Sequence, residues 1–384
     1  MPNLHTEPTV DWSAIPSPCY VLEENRLREN LERLAYVQLE ADCKIICALK
    51  GYAMWSTFPI LREYLPGSTA SSLHEARLAA EEFGGEVHAY ATLYFEDEFE
   101  EMTKYCNHLT FNSLSQWEKF KAAMPEGCSS GLRINPEYSE VEVDLYNPTM
   151  PGTRFGITAD KLPELPEGIE GLHFHTLCEQ NSDALARTLA IVEEKFGHLL
   201  PKLKWFNMGG GHHITREDYD VDLLIQLLRD FKAKYDLEII LEPGEAVGLN
   251  TGYLVSRVED IFDSGGVQVA MLDVSFTAHM PDCLEMPYKP KIFGATDAKE
   301  GFPTYRFGGT TCLSGDFMGM GDYSFERELK VGDQIIFDDM IHYTMVKTSN
   351  FNGVKHPSIG IWQADGTFRL VKSFGYEMYR DRLS

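Results

Sequence analysis

Apolar and polar positions along this 384-residue chain follow two different rhythms. Between about residues 44 and 241, short apolar runs of strand character recur, separated by longer stretches with apolar residues at helical spacing. The strand-like runs are KIICAL (44–49), GSTAS (67–71), EVHAY (86–90), HLTF (108–111), SGLRI (130–134), GLHFH (171–175), LKWFN (203–207) and LEIIL (237–241). Among the intervening segments, SLHEARLAAEEFG opens on the capping-box pattern Ser72-x-x-Glu75 and stops at Gly84-Gly85. The segment DALARTLAIVEEKFG is likewise amphipathic and ends on a glycine. Eight strands joined by helical crossovers predict a (β/α)8 barrel, with an open doubly wound sheet as the alternative.

After about residue 245 the helical rhythm fades. YLVSRVEDIF, VQVAMLDVSF, DQIIFDDM, SIGIWQ and FRLVKSF read as strands, separated by turn signals such as Ser264-Gly265-Gly266 and Asp365-Gly366. The chain therefore divides into a barrel over 36–245 and a second, mostly antiparallel β domain over 246–384. Residues 1–35 are expected largely to join the β domain: SPCYVLE (17–23) as a strand, with a helix over roughly 24–39 returning the chain to the barrel.

Charge and cysteine content narrow the function. A formal net charge of −25 disfavours nucleic acid and anionic membrane surfaces as partners. It suits a small cationic substrate such as a polyamine, or serves solubility alone. The opening MPNLHTEPTVDWSAIPSP is polar and proline-rich, unlike a secretion signal, and no apolar run reaches the ~18–20 residues of a membrane helix. The eight cysteines form no CxxC pair, which points to free thiols in a reducing, cytoplasmic setting.

Several residues with chemical potential fall at the ends of the expected barrel strands, on the rim where barrel enzymes build their sites. Lys50 follows KIICAL; it is either a surface lysine or an amine whose charged form is disfavoured, ready to attach a carbonyl. His173 and His175, two apart in GLHFHT, share one face, so an imidazole there stacks on a flat ring or, with His212 and His213, ligates a metal. Gly209, Gly210 and Gly211 in NMGGGHH turn the backbone sharply, either to aim N–H groups at a phosphate or simply to pass from strand to helix. Glu242 in LEPGEA ends the last strand; it either bonds a protonated ring nitrogen or is an ordinary loop charge. Together these residues cover attachment, ring support, phosphate and ring nitrogen, the tasks set by pyridoxal phosphate.

With ALKGYA, FHTLCE, NMGGGHH, LEPGEA, GTTCLSGD and IHYTMVKTSNFNG, the chain resembles the fold-type III pyridoxal-phosphate decarboxylases over nearly its whole length. The stretches SFTAHMPDCLEMPYKP (275–290) and TCLSGDFMG (311–319) are similar to the branch acting on carboxynorspermidine and carboxyspermidine. The resemblance implies an alanine-racemase-like barrel, and a homodimer in which each subunit completes the other's site. It implies that Lys50 attaches the cofactor, His175 stacks on its ring, and Glu242 holds the pyridine nitrogen. Ser72, Tyr343 and Gly209 to Gly211 would serve the phosphate, and Arg154 in GTRFGI would position cofactor or substrate. Cys312 would reprotonate the carbon left by CO2, with Asp316 beside it. His279, Asp282 and Glu285, within 275–290, become candidates for reading the substrate's amines. Two positions depart from relatives: Glu245 stands where many carry the arginine of EPGR, and Leu313 where an acidic residue commonly follows the cysteine. The first suggests a carboxylate turned toward a cationic substrate; the second argues against ornithine and diaminopimelate.

Overall fold

The computed structural model describes residues 8–141, 143 and 146–384. Two compact units emerge, one spanning Glu29–Val247 and the other Gly248–Ser384 together with residues up to Arg28.

The first unit is a parallel barrel. Strands Gly67–Ala70, Glu86–Tyr90, His108–Phe111, Ser129–Arg133, Gly171–His173, Trp205–Asn207 and Glu238–Leu241 pair in chain order. The first strand is interrupted at Ile46. Its first half, Lys44–Ile45, pairs with Glu238–Leu241, and its second half, Cys47–Ala48, pairs with Gly67–Ala70, so one split strand closes the ring. Every apolar run expected as a barrel strand forms one. The alternative of an open sheet fails on this closure.

The crossovers are helical where the sequence is amphipathic. Ser182–Phe196, capped by Asn181, buries Leu185, Leu189, Val192 and Phe196 at helical spacing. Val221–Tyr235, capped by Asp220, buries Leu224, Leu228 and Phe231. Leu73–Leu78 starts on Ser72, whose hydroxyl accepts the Glu75 N–H at 3.2 Å, then widens into a π turn over Ala79–Phe83. The return bond of the capping box is displaced by one residue, because the Glu75 carboxylate accepts from the Ser71 N–H at 2.7 Å.

At the end of the barrel where the strands begin, a polar cluster fills the interior. The Lys44 ammonium lies 2.7 Å from the Glu86 carboxylate and 2.5 Å from that of Glu238. His88 faces Glu86 at 3.2 Å and stacks on His108 with ring centroids 4.0 Å apart. Burial, followed by the neighbouring His88, pushes His108 down to about 3. Glu86, His88 and His108 bring ligand atoms together as a metal site would, but Lys44 already supplies the cation.

The second unit is a mixed, mainly antiparallel sheet organised on the long strand Gly252–Ser264. The first half of that strand pairs antiparallel with Cys19–Glu23 and with Gln334–Asp338; its second half pairs with Val267–Leu272 after a register shift near Asp260. Cys19–Glu23 continues in parallel to Ser358–Trp362, which pairs with Phe368–Lys372. Cys19, Val21, Tyr253, Val255, Ile336 and Trp362 form its core, with Trp12 packed against them. Three further strands, Ala295–Asp297, Thr304–Gly308 and Tyr323–Phe325, extend the sheet beyond those expected from sequence.

Candidate active site

The rim where the barrel strands end carries a row of side chains fixed by strand register. Arg133 pairs with His173, and His173 with Asn207, each the last residue of its strand. All three are buried. Glu242 follows the next strand, and its carboxylate accepts from the Asn207 amide at 2.7 Å and faces the His173 Nε2 at 3.4 Å. Burial alone would raise the Glu242 carboxyl, but the hydrogen bond and charge of His173, with the Asn207 bond, outweigh it and bring it down to about 2. His173 is held below the ordinary histidine range, by burial before all else. The pair is therefore a buried carboxylate held between an imidazole and an amide.

Across this row stands Lys50. Its side chain is exposed to solvent. Burial first, and the Arg133 guanidinium second, hold its ammonium below the usual lysine range. The amine lies 3.3 Å from His175 Nε2, while His175 Nδ1 sits 3.1 Å from both the N–H and the carbonyl of Gly210. His175 is itself held well below the ordinary range by burial, then by Lys50 and Arg133. A neutral His175 couples its tautomer to Lys50. When Nδ1 accepts the Gly210 N–H, Nε2 carries the proton and donates to a neutral amine; when Nδ1–H donates to the Gly210 carbonyl, Nε2 accepts from an ammonium.

In the glycine loop, Gly209 N–H donates to Asn207 Oδ1 at 2.9 Å, and Gly210 N–H lies 3.1 Å from His175 Nδ1, to which it donates in one of the two tautomers. The glycines are required by close approach. Gly209 (φ 70°) and Gly211 (φ 81°) lie in the left-handed region, and a Cβ would come within 2.3 Å of the Phe174 carbonyl oxygen and 2.0 Å of that of Leu177.

Positive charge gathers nearby. Arg133 stacks on Tyr90 and on Phe155, with distances of 4.6 and 4.3 Å to the ring centroids, and donates to the His175 carbonyl at 3.1 Å. The exposed Arg154 stacks on the same Phe155 at 4.5 Å. Two guanidinium groups sharing one ring suit a phosphate or carboxylate. Glu245 faces His213 at 3.5 Å, and His213 Nδ1 in turn faces Arg216, so this carboxylate belongs to a charge chain with its own cation. His212 is buried against the Met208 carbonyl, apart from that chain.

In the second unit the expected residues separate into exposed groups and internal braces. Cys312 is exposed. Asp316 is buried and accepts from the N–H groups of Phe276, Thr277 and Thr311 and from the Thr311 hydroxyl, so it braces the cysteine loop. Asp282 is also buried, and one of its oxygens accepts from the hydroxyls of Tyr288 and Thr344 at 2.7 and 2.9 Å. His279 is wholly buried, its Nδ1 accepting from the Ser275 N–H at 3.0 Å, and burial followed by His356 sets it at about 3, so it caps a helical turn. Glu285 stays exposed and pairs with Lys347 at 2.9 Å. Tyr343 opens the helical turn Tyr343–Val346. In the first unit, the Ser72 hydroxyl accepts the Glu75 N–H as a helix cap. Arg133 lies in none of the motifs and Asn207 was quoted only as the first residue of NMGGGHH, although their place at strand ends was the available signal.

A lysine with a weakened ammonium, a buried carboxylate, two histidines and paired arginines on one rim define a class. The chain belongs to the pyridoxal-dependent decarboxylase family, whose sequence profile, described as "Pyridoxal-dependent decarboxylase, C-terminal sheet domain", matches residues 19–341. It is thus a carboxy-lyase. Among relatives, it is 50% identical over 374 residues to carboxyaminopropylagmatine decarboxylase of Synechocystis sp., covering 97% of this chain and 96% of that one. It is 42% identical to carboxynorspermidine/carboxyspermidine decarboxylase of Campylobacter jejuni, covering 96% and 98%. The crystal structure of carboxynorspermidine decarboxylase from Campylobacter jejuni, complexed with norspermidine, superposes with a TM-score of 0.89 at 42% identity, covering 96% of this chain and all of that one.

Proposed function

We propose that this chain holds pyridoxal phosphate on the barrel rim and removes CO2 from a carboxylated polyamine, carboxynorspermidine or carboxyspermidine. The observation that carries the reading is the ionised Glu242, held by Asn207 and His173 across from the Lys50–His175 pair. This donor set fits the cofactor. Lys50 has the weakened ammonium that attachment to an aldehyde requires. Glu242 stays charged where a protonated ring nitrogen needs a partner, His175 offers a flat face, and Arg133 and Arg154 offer cations to an anion. When bound, pyridoxal phosphate supplies the electron sink that lets an α-carboxylate depart.

The overall change is balanced by one proton. The bond between the α carbon and the carboxylate breaks, CO2 leaves, and the α carbon takes a proton to give the amine. Cys312, an exposed thiol, is the proposed donor. Tyr343 and Glu285 are proposed to serve the phosphate and the substrate's far end in a homodimer whose subunits complete each other's rim. Free thiols at all eight cysteines support a reducing compartment such as the cytoplasm, and among the described residues no helix is long and apolar enough to cross a membrane.

A second reading concerns the far end of the substrate. The Synechocystis relative's name contains agmatine, a guanidino compound, whereas the Campylobacter relative's substrates end in amines. A carboxylate such as Glu285 pairs with either, and a guanidinium in two-point fashion. The deciding experiment incubates cofactor-loaded protein with carboxynorspermidine, carboxyspermidine, carboxyaminopropylagmatine, diaminopimelate and ornithine, and measures CO2 and amine. Turnover confined to the carboxylated polyamines supports the proposal, and their ranking chooses the end group. Preference for diaminopimelate or ornithine overturns it.

A further inference from the structure

The loop that presents Cys312 is tied down along its backbone. Three consecutive backbone N–H groups are each tied to a side chain. Thr311 N–H donates to Asp316 Oδ2 at 2.9 Å, Cys312 N–H to Asn352 Oδ1 at 2.8 Å, and Leu313 N–H to the Thr311 hydroxyl at 3.4 Å. The loop closes on itself, since Gly309 N–H donates to the Asp316 carbonyl and Asp316 N–H to that of Leu313. Gly309 abuts the Asp316 carboxylate so tightly that a Cβ there would lie 2.3 Å from its oxygen. The bond to Cys312 comes from outside the loop. Asn352 is exposed, forty residues downstream, and sits in the left-handed region at φ 55°. That backbone aims its side chain at the N–H of the one residue in the loop that carries a thiol.

We infer that Asn352 is a positioning residue for Cys312: its amide oxygen fixes the backbone from which the thiol delivers its proton. The inference rests on the reading of Cys312 as proton donor. Ordering the backbone here costs conformational entropy, and an exposed hydrogen bond returns little of that as stability. The return is instead geometric, because proton transfer depends steeply on where the donor sits. The α carbon freed of CO2 must take its proton from sulfur, and the thiolate then recovers one from water. If the proton falls on the cofactor's own carbon instead, hydrolysis releases an aldehyde and leaves the nitrogen on the cofactor as an amine. A mispositioned thiol therefore leaves a chemical record.

The left-handed backbone dictates the variants. Glycine and aspartate both tolerate positive φ, so Asn352→Gly removes the acceptor without strain and Asn352→Asp retains it. In the full-length, cofactor-loaded enzyme, Asn352→Gly is expected to lower kcat about tenfold, leave KM and the cofactor absorbance before substrate is added unchanged, and raise the share of aldehyde product. Asn352→Asp should restore most of the rate. Combined with Cys312→Ala, the glycine variant should cost nothing further, since residues acting through one group are not additive. A wild-type rate and product ratio in Asn352→Gly, or full additivity with Cys312→Ala, overturns the positioning role while leaving the thiol's own role standing. Full turnover by Cys312→Ala alone overturns both.

Discussion

Glu242 shows how single residues set the chemistry of this rim. Its carboxylate remains charged although buried, because His173 and Asn207 together outweigh desolvation. Glu242→Gln keeps the shape and removes the charge, so kcat should fall on the order of 100-fold with a smaller change in KM; steady-state kinetics checks this. An unchanged kcat would mean that the ring nitrogen needs no anion here. At this scale the sequence was most legible where residues sit in compact motifs: Lys50 in ALKGYA, His175 in FHTLCE and Glu242 in LEPGEA all reach the same rim. It was least legible where meaning comes from register. Arg133 and Asn207 lie in strands of ordinary appearance, and only parallel pairing with His173 brings them into one row. Asp282, Asp316 and His279 were hard to place for the opposite reason, since a one-dimensional motif does not say which side chains turn inward, and all three are buried.

Among the elements, the glycine loop and the far end of the barrel each carry a test. Gly211→Ala forces a Cβ into the Leu177 carbonyl at positive φ, which should destabilise by about 1–3 kcal/mol and show as a lower Tm in calorimetry. At the opposite end, His108 is held near 3 in the folded chain, below its unfolded value. The unfolded chain therefore binds more protons between those values, and stability rises with pH across that window. It is present above pH about 6.5 and is lost as pH falls toward 3. His108→Asn should flatten this acid limb in denaturant titrations run from pH 7 to 4; an unchanged slope would place the acid sensitivity elsewhere. The eight barrel strands were readable because each is a short apolar run bounded by amphipathic helices. Ala295–Asp297, Thr304–Gly308 and Tyr323–Phe325 were not, because such short strands owe their form to pairing with one another and with Val267–Leu272.

For the whole molecule, a net charge of −25 favours capture of a polycation over any anionic partner. The proposed shared rim predicts complementation: mixing Lys50→Ala with Cys312→Ala should restore about a quarter of wild-type activity, since half the dimers would then hold one intact site. No recovery after verified subunit exchange would confine each site to one subunit. The central claim is that Lys50 carries the cofactor on a rim built to hold it. It is tested most directly by reducing the cofactor-loaded protein with borohydride, digesting it and locating the phosphopyridoxyl mass. The account predicts a single modified peptide containing Lys50 from KIICALKGYA, and loss of the visible absorbance in Lys50→Ala. Stable label on another lysine, or a borohydride-reducible adduct surviving in Lys50→Ala, would contradict it.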